Sequence, residues 1–335
     1  MTTDTAAETR TAGPAFASRF TTGRDLPSMA RDYGIILAFV GLFVVLAATT
    51  PNFLTSQNLQ NVLDQNAYMG IAACGATLVI IAGGFDLSVG AIFALAGAVA
   101  AWVAVNVDPV LGLVAGALVG PLLGILNGVL VSGVGIHSFL ATLASGLAFS
   151  GLAVAVTEGF LIDVSSEEAF VWLGRGELIP GIRNPLIVFL VVALALGFLL
   201  SRTRFGRYVY AVGGNIEAAR LSGVRTGLIT ALTFVICGLT ASLAGIVEAS
   251  KAGSGQALPG GAAGLALGTI AAVVIGGTSI KGGQGAIWRT VLGVLLLALI
   301  NNAFNILNLQ PQYRDVLTAA IIVGAVTLNT LASRR

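Results

Sequence analysis

The sequence predicts an all-α, polytopic membrane protein with about ten transmembrane helices, some of them broken at glycine-rich points. Three observations predict it. Of 335 residues, 56% are hydrophobic and only 10% are charged, against roughly 25% charged in a soluble domain. The apolar residues gather in runs near the roughly 20 residues that a bilayer requires. Glycine is abundant, at 44 residues, and lets helices approach closely in lipid.

Residues 1–31 are polar, carry Arg10, Arg19, Arg24 and Arg31, and lack an early apolar core. They read as a disordered cytoplasmic tail and not as a cleavable signal peptide. Residues 32–335 then form a single transmembrane domain. The first span, 33–49, is ended by Thr50-Pro51-Asn52, and a polar connection, 53–66, follows. The second, 67–82, stops at Gly83-Gly84. The third, 89–105, is closed by the turn Asn106-Val107-Asp108-Pro109. The fourth is 110–131 and the fifth 139–157. A polar interruption, 158–184, holds Glu158, Asp163, Glu167, Glu168 and Glu177 against Arg175 and Arg183. The sixth span is 185–201, the seventh 227–250, the eighth 265–278, the ninth 287–304 and the tenth 316–331. The eighth is short enough to be a broken or re-entrant helix.

Basic loops stay in the cytoplasm. With both termini inside, the segment 202–225, the turn containing Lys281 and Arg289, and Arg334-Arg335 all fall inside. The acidic 158–184 loop falls outside. Two glycine turns look alike: residues 79–84 precede Gly90-Ala91-Ile92, and residues 273–277 precede Gly285-Ala286-Ile287. They read either as an internal repeat or as ordinary glycine-rich membrane sequence.

The segment 202–225 is the basic interior stretch, with Arg202, Arg204, Arg207, Arg220 and Arg225 against Glu217 alone. Inside it lies a short helix with both ends marked. Asn215 can cap it, Glu217 suits its positive end, Arg220 suits its negative end, and Gly223 supplies a left-handed stop. Ala218 and Ala219 in its middle would let another backbone approach closely. The plainer reading is an arginine-rich loop that only fixes topology.

Catalytic machinery is absent from the sequence. Residues 276–285 are glycine-rich with Lys281 but lack the Gly-Lys-Ser/Thr order of a phosphate-binding loop. The single His137 has no metal-ligand partner at a suitable spacing, and reads as a helix cap or a headgroup contact. Cys74 and Cys237 fall within apolar runs and read as buried thiols. The net charge of +2 does not suggest nucleic acid. No cofactor and no metal are expected.

The informative polar residues are few. Asp86 sits in Gly83-Gly84-Phe85-Asp86-Leu87-Ser88 just before the third span. It can cap Ser88 or Val89, or act directly on a solute or a gate. Asn127 and Asn301 lie in the fourth and ninth spans and either bond a neighbouring helix or line a polar path.

At these residues the chain resembles the membrane permease subunit of an ATP-binding-cassette sugar importer of the ribose type. The resemblance rests on residues 83–90, on Phe139-Leu140-Ala141-Thr142-Leu143, on 203–207 through 214–223, and on 270–279. It implies no enzyme activity of its own. The implied partners are a separate ATPase subunit, a periplasmic solute-binding protein and a second permease, identical or not, in a bacterial inner membrane. It makes Asn215, Glu217, Ala218, Ala219, Arg220 and Gly223 candidates for a coupling helix that docks into the ATPase. Gly83, Gly84, Asp86, Ser88, Asn127, Phe139, Thr142, Gly276, Gly277 and Asn301 become candidates for the pathway or its gating. The chain departs from the family's pattern at Phe85 (usually isoleucine), near His137 (proline), near Ala266 (an acid) and at Arg289 (glycine). A competing reading is an ion-coupled secondary transporter of a small polar solute. Its ionisable residues belong at mid-membrane, whereas Asp86 and Glu248 lie towards span ends.

Overall fold

The structure is a computed structural model that describes residues 26–257, 261–307 and scattered positions between 310 and 323. Helix α1 is Leu26–Thr49, so only residues 1–25 of the expected tail lie outside the described residues. Helix α2, Ser56–Ile81, begins well before the expected second span. Most of 53–66, expected as a polar connection, is therefore helical. Its polar side chains find partners far along the chain and so do not interrupt the helix. Asn58 and Asn302 exchange amide hydrogen bonds at 2.7 and 3.3 Å, and Gln60 Nε2 donates to Gly181 O at 3.0 Å.

Helix α3 is Val89–Asn106 and α4 is Pro109–Gly128. Asp108 caps α4, its Oδ1 accepting from Val110 N and Leu111 N at 2.8 and 2.9 Å. A π-helical turn, Val129–Gly133, extends α4. Helix α5, Ser138–Thr157, is started by His137, whose Nδ1 accepts from Phe139 N at 3.4 Å. The 158–184 stretch is not a plain loop. It holds strand β1, Ile162–Asp163, and helix α6, Glu168–Arg175. Helix α7 is Asn184–Arg202, α8 is Arg204–Gly214, α9 is Ile216–Leu221 and α10 is Thr226–Ala252. Strand β2, Ser254–Gly255, pairs antiparallel with β1. Helices α11, Gly261–Ile275, and α12, Ile287–Ile306, complete the described order.

Among the described residues six helices are long and apolar enough to cross a bilayer: α3, α4 with its π turn, α5, α7, α10 and α12. The apolar parts of α1 and α11 are shorter, Gly34–Thr49 and Ala263–Ile275, and the first half of α2 is polar. The expected tenth span, 316–331, lies largely outside the described residues. The chain is thus an all-α polytopic protein with a two-stranded staple, and about ten spans are not reached among the described residues.

Helix α3 is the centre of the bundle, 72% buried over its span, while α4, α5 and α7 turn apolar faces outward at 22, 33 and 28%. That contrast suits outer helices that face lipid. What holds α4 to the centre is a glycine at every fourth position: Gly112, Gly116, Gly120, Gly124 and Gly128 are all buried. A Cβ at Gly116 would lie 2.7 Å from Ala100 Cβ on α3. One at Gly120 would overlap the carbonyl oxygen of Gly238 on α10. Where hydrocarbon surrounds every helix, such backbone contact replaces the hydrophobic drive that water would supply.

The glycine pairs expected to break helices instead end them. Gly83 and Gly277 both have φ +87°. Gly84 N donates to Val79 O at 2.9 Å, and Thr278 N to Val273 O at 3.2 Å. Each is the left-handed stop that closes a helix C-terminus. The two turns thus share one geometry at matching residues, and α2–α3 and α11–α12 are alike in this respect. Their helices also meet, with Thr77 Oγ1 and Thr290 Oγ1 2.8 Å apart in the core.

Candidate pathway and coupling sites

The turn between α2 and α3 is fastened to α5 by side chains. Phe85 N donates to Ser138 Oγ at 3.1 Å and Leu87 N to Thr142 Oγ1 at 3.0 Å. The buried polar groups then form a directed chain. Ser145 Oγ donates to Asn127 Oδ1 (2.7 Å), Asn127 Nδ2 to Ser88 Oγ (2.8 Å), and Ser88 Oγ to Asp86 Oδ1 (2.6 Å). Ser88 N also donates to Asp86 Oδ1 at 2.9 Å. Every donor points towards one carboxyl group. That group is buried beside the Cys237 thiol of α10, and its Oδ2 accepts from no nitrogen or oxygen donor.

Asp86 therefore does cap Ser88, one of the two positions expected, but it also ends a chain that ties α3, α4 and α5 together. Gly84 sits close beside α5, where a Cβ would stand 3.5 Å from Ser138 Oγ, an ordinary contact. Asp86, Ser88, Asn127 and Thr142 are brought together with Gly83 and Gly84 beside them. Phe139 is not; its side chain is on the exposed side of α5. Asn301 is half-buried on α12, and the amide that bonds a neighbouring helix is Asn302. Gly276 and Gly277 lie in the other turn, where a Cβ at Gly276 would stand 2.5 Å from Arg289 O.

An asparagine at position 86 can still accept from Ser88 with its Oδ1, whereas alanine leaves two buried donors unpaired at about 1–3 kcal/mol each. Asp86→Asn is thus expected to stay folded and keep most of its uptake, and Asp86→Ala to lose thermal stability. Melting temperature and uptake per folded protein, measured together, check this. An Asp86→Asn protein that melts normally yet is inactive would assign the charge itself to transport.

At the same end of the bundle the segment 202–225 forms α8 and α9. Asn215 Oδ1 accepts from Ala218 N at 2.9 Å, and Arg220 pairs with Glu217 at 2.7 Å. Gly223 has φ +82° and closes the helix, with Val224 N donating to Ala219 O at 3.1 Å. The marked ends hold as expected. The expected surface does not: Ala219 is buried against this chain's own core, and Ala218 is the exposed alanine. A helix of this length shows one face to its own protein, and Ala219 is on it. Leu221, 85% exposed, is the more open of the two large apolar side chains that α9 exposes, Ile216 being 52%.

Helix α8 was not expected. Its signals are present, however. Thr203 Oγ1 accepts from Gly206 N at 3.2 Å, and the buried Gly206, Val209 and Val212 recur at helical spacing.

The opposite end holds a charged group that the sequence did not single out. Asp64 on α2 is buried and pairs with Arg183 at 3.3 Å. Lys251 Nζ donates to Asp64 O at 3.2 Å and sits 3.8 Å from Glu248. Arg175 Nε donates to Lys251 O, and Ser250 Oγ to Phe170 O. The acidic 158–184 stretch is thereby bolted to the end of α10. An acid among amides on a helix that turns inward needs a partner, and that was the signal available at Asp64.

The chain is thus a polytopic bundle with a buried polar cluster beneath a glycine turn and a capped helix at its basic end. The chain belongs to the family described as the branched-chain amino acid transport system / permease component, whose model matches residues 58–326. It is similar to the ribose import permease protein RbsC of Escherichia coli (strain K12), 39% identical over 298 residues that cover 88% of this chain and 92% of that one. It is also similar to the D-allose transport system permease protein AlsC and the L-arabinose transport system permease protein AraH of the same strain. Each is 37% identical, covering 90 and 89% of this chain and 92 and 90% of theirs. No solved structure matches the chain significantly. It is a transport component and not an enzyme.

Proposed function

We propose that this chain is the membrane-spanning subunit of an ATP-binding-cassette importer for a sugar or related polyol. It forms the translocation pathway with a second permease, identical or not, and takes its energy from a separate ATPase subunit. The observation that carries the reading is α9, a capped and exposed helix at the basic end of a chain from a permease family. Arg202, Arg204, Arg207, Arg220 and Arg225 belong on the cytoplasmic side, where an ATPase can reach α9. The acidic 158–184 stretch then faces the periplasm and a solute-binding protein. Asn215, Glu217, Ala218, Arg220 and Gly223 shape the docking helix, and Ala219 holds it to its own protein. Asp86, Ser88, Asn127 and Thr142 fix the turn next to the pathway. Ion-coupled transport is the lesser reading, since the buried Asp86 and the partly buried Glu248 sit towards helix ends.

The test is uptake of labelled ribose, allose or arabinose into proteoliposomes that hold this chain, its ATPase and its binding protein. Uptake is expected to require ATP and to survive an ionophore. Uptake without ATP that an ionophore abolishes would overturn the reading.

A further inference from the structure

Three backbone segments meet at the basic end with almost no side chains between them. They are the end of α2, the end of α8 and the 279–286 turn that leads into α12. Gly283 N donates to Ile81 O at 2.8 Å. A Cβ at Gly213 would overlap that same Ile81 oxygen and lie 2.7 Å from Gly283 N. A Cβ at Gly282 would stand 2.8 Å from Gly213 O and 3.0 Å from Gly83 Cα, and one at Gly283 would stand 2.8 Å from Gly214 Cα. Gly282 and Gly283 also have positive φ, at +84 and +73°. Only glycine meets both demands, the left-handed backbone and the missing side chain. Tyr210 closes the junction from α8, its Oη donating to Gly285 O at 2.8 Å. Burial pushes this phenol above its ordinary range against the opposing Arg289 guanidinium, so it stays a neutral donor at physiological pH.

The place of this junction in the chain gives it a role. Gly214 is followed at once by Asn215, the cap of α9. The other two segments are the turns at which α2 passes to α3 and α11 to α12. Close-packed backbone does not absorb a displacement the way a long side chain does. A shift of α9 must therefore move both turns, including the one that carries Asp86.

The geometry points to Gly213, Gly283 and Tyr210 as positioning residues that transmit movement of the docked ATPase from α9 to the two helical turns beside the pathway. This rests on the proposed function. It adds that docking and transmission are separable: α9 binds, and the junction conveys.

The test uses the reconstituted transporter with Tyr210→Phe and Gly213→Ala. Tyr210→Phe keeps the ring and removes one hydrogen bond. Four quantities are read: ATPase co-purification, basal ATP hydrolysis, hydrolysis stimulated by loaded binding protein, and uptake of labelled ribose, allose or arabinose. Co-purification and basal hydrolysis are expected to match the unaltered transporter in both variants. Stimulated hydrolysis and uptake are expected to fall together, by about threefold to tenfold in Tyr210→Phe, the scale of one neutral hydrogen bond, and further in Gly213→Ala. If Gly213→Ala does not fold, Tyr210→Phe decides alone. Normal uptake in Tyr210→Phe, or loss of the ATPase from it, would overturn the assignment. Should the unaltered transporter itself show no ATP-driven uptake, the proposed function fails and not the junction.

Discussion

Gly120→Leu is expected to leave little or no folded protein in the membrane. Gly120 and Gly238 touch backbone to backbone, and a Cβ on either would overlap the other's carbonyl oxygen. Ser242 Oγ stands 2.5 Å from the atom added at Gly120. Overpacking an adaptable core costs about 1–3 kcal/mol. Here the nearest atoms are main chain, and α4 holds α10 along a whole row of glycines, so the cost should lie at or beyond the top of that range. Displacing α4 would also pull Asn127 from Ser88 and break the chain that ends at Asp86. Gly151→Leu is the control, because nothing stands within 4 Å of a Cβ there. Yield of monodisperse protein in mild detergent checks both: near zero for Gly120→Leu, normal for Gly151→Leu. Equal yields would show that the α4–α10 crossing is looser than these contacts imply.

Leu221→Asp is expected to release the ATPase subunit while the permease folds normally. Leu221 is almost fully exposed at the end of α9, so a folded isolated chain loses nothing by the change. Burying a leucine at an interface is worth about 1.5–3 kcal/mol, or roughly tenfold to a hundredfold in affinity. A carboxylate in its place adds a desolvation cost to that loss. Co-purification of the ATPase should fail and uptake should vanish, with the permease's melting temperature unchanged. Ala218→Trp should act in the same way from the neighbouring exposed position. Ala219→Trp should not: that side chain is buried in its own protein, so a large residue there lowers stability first. Retained ATPase with Leu221→Asp would leave α9 as a loop that merely fixes topology.

These two expectations differ in how far the sequence reveals them. The glycines of α4 recur at a strict interval of four, and that period is readable from residues 112–128 alone. The ends of α9 were readable too, because a cap and a left-handed stop are local events. So were the bounds of α3, α5, α7, α10 and α12, since hydrocarbon forces long apolar runs with sharp stops. The first half of α2 was not readable as helix, because its polarity is answered from across the bundle. Asn58 meets Asn302, 244 residues away. Similarly, no local pattern tells which of Asn301 and Asn302 faces α2, or which of Ala218 and Ala219 faces inward. Asp86, Ser88 and Asn127 were each suspect by type, yet their assembly with Ser145 into one directed chain depends on how α3, α4 and α5 pack. The junction at Gly213 and Gly283 was hidden for the same reason: a chain rich in glycine does not show which glycines touch.

The central claim is that α9 faces the cytoplasm and receives an ATPase there. Single cysteines at Ser222, directly after α9, and at Ser166, in the acidic stretch, test it most directly. Both positions are exposed, and the buried Cys74 and Cys237 would first be replaced by alanine. The account predicts that in intact cells an impermeant thiol reagent labels position 166 and spares position 222. It further predicts that, in membranes holding the ATPase, a short bifunctional crosslinker joins position 222 to that subunit and leaves 166 free. Labelling of position 222 from outside, or a crosslink to the ATPase from 166 alone, would contradict it.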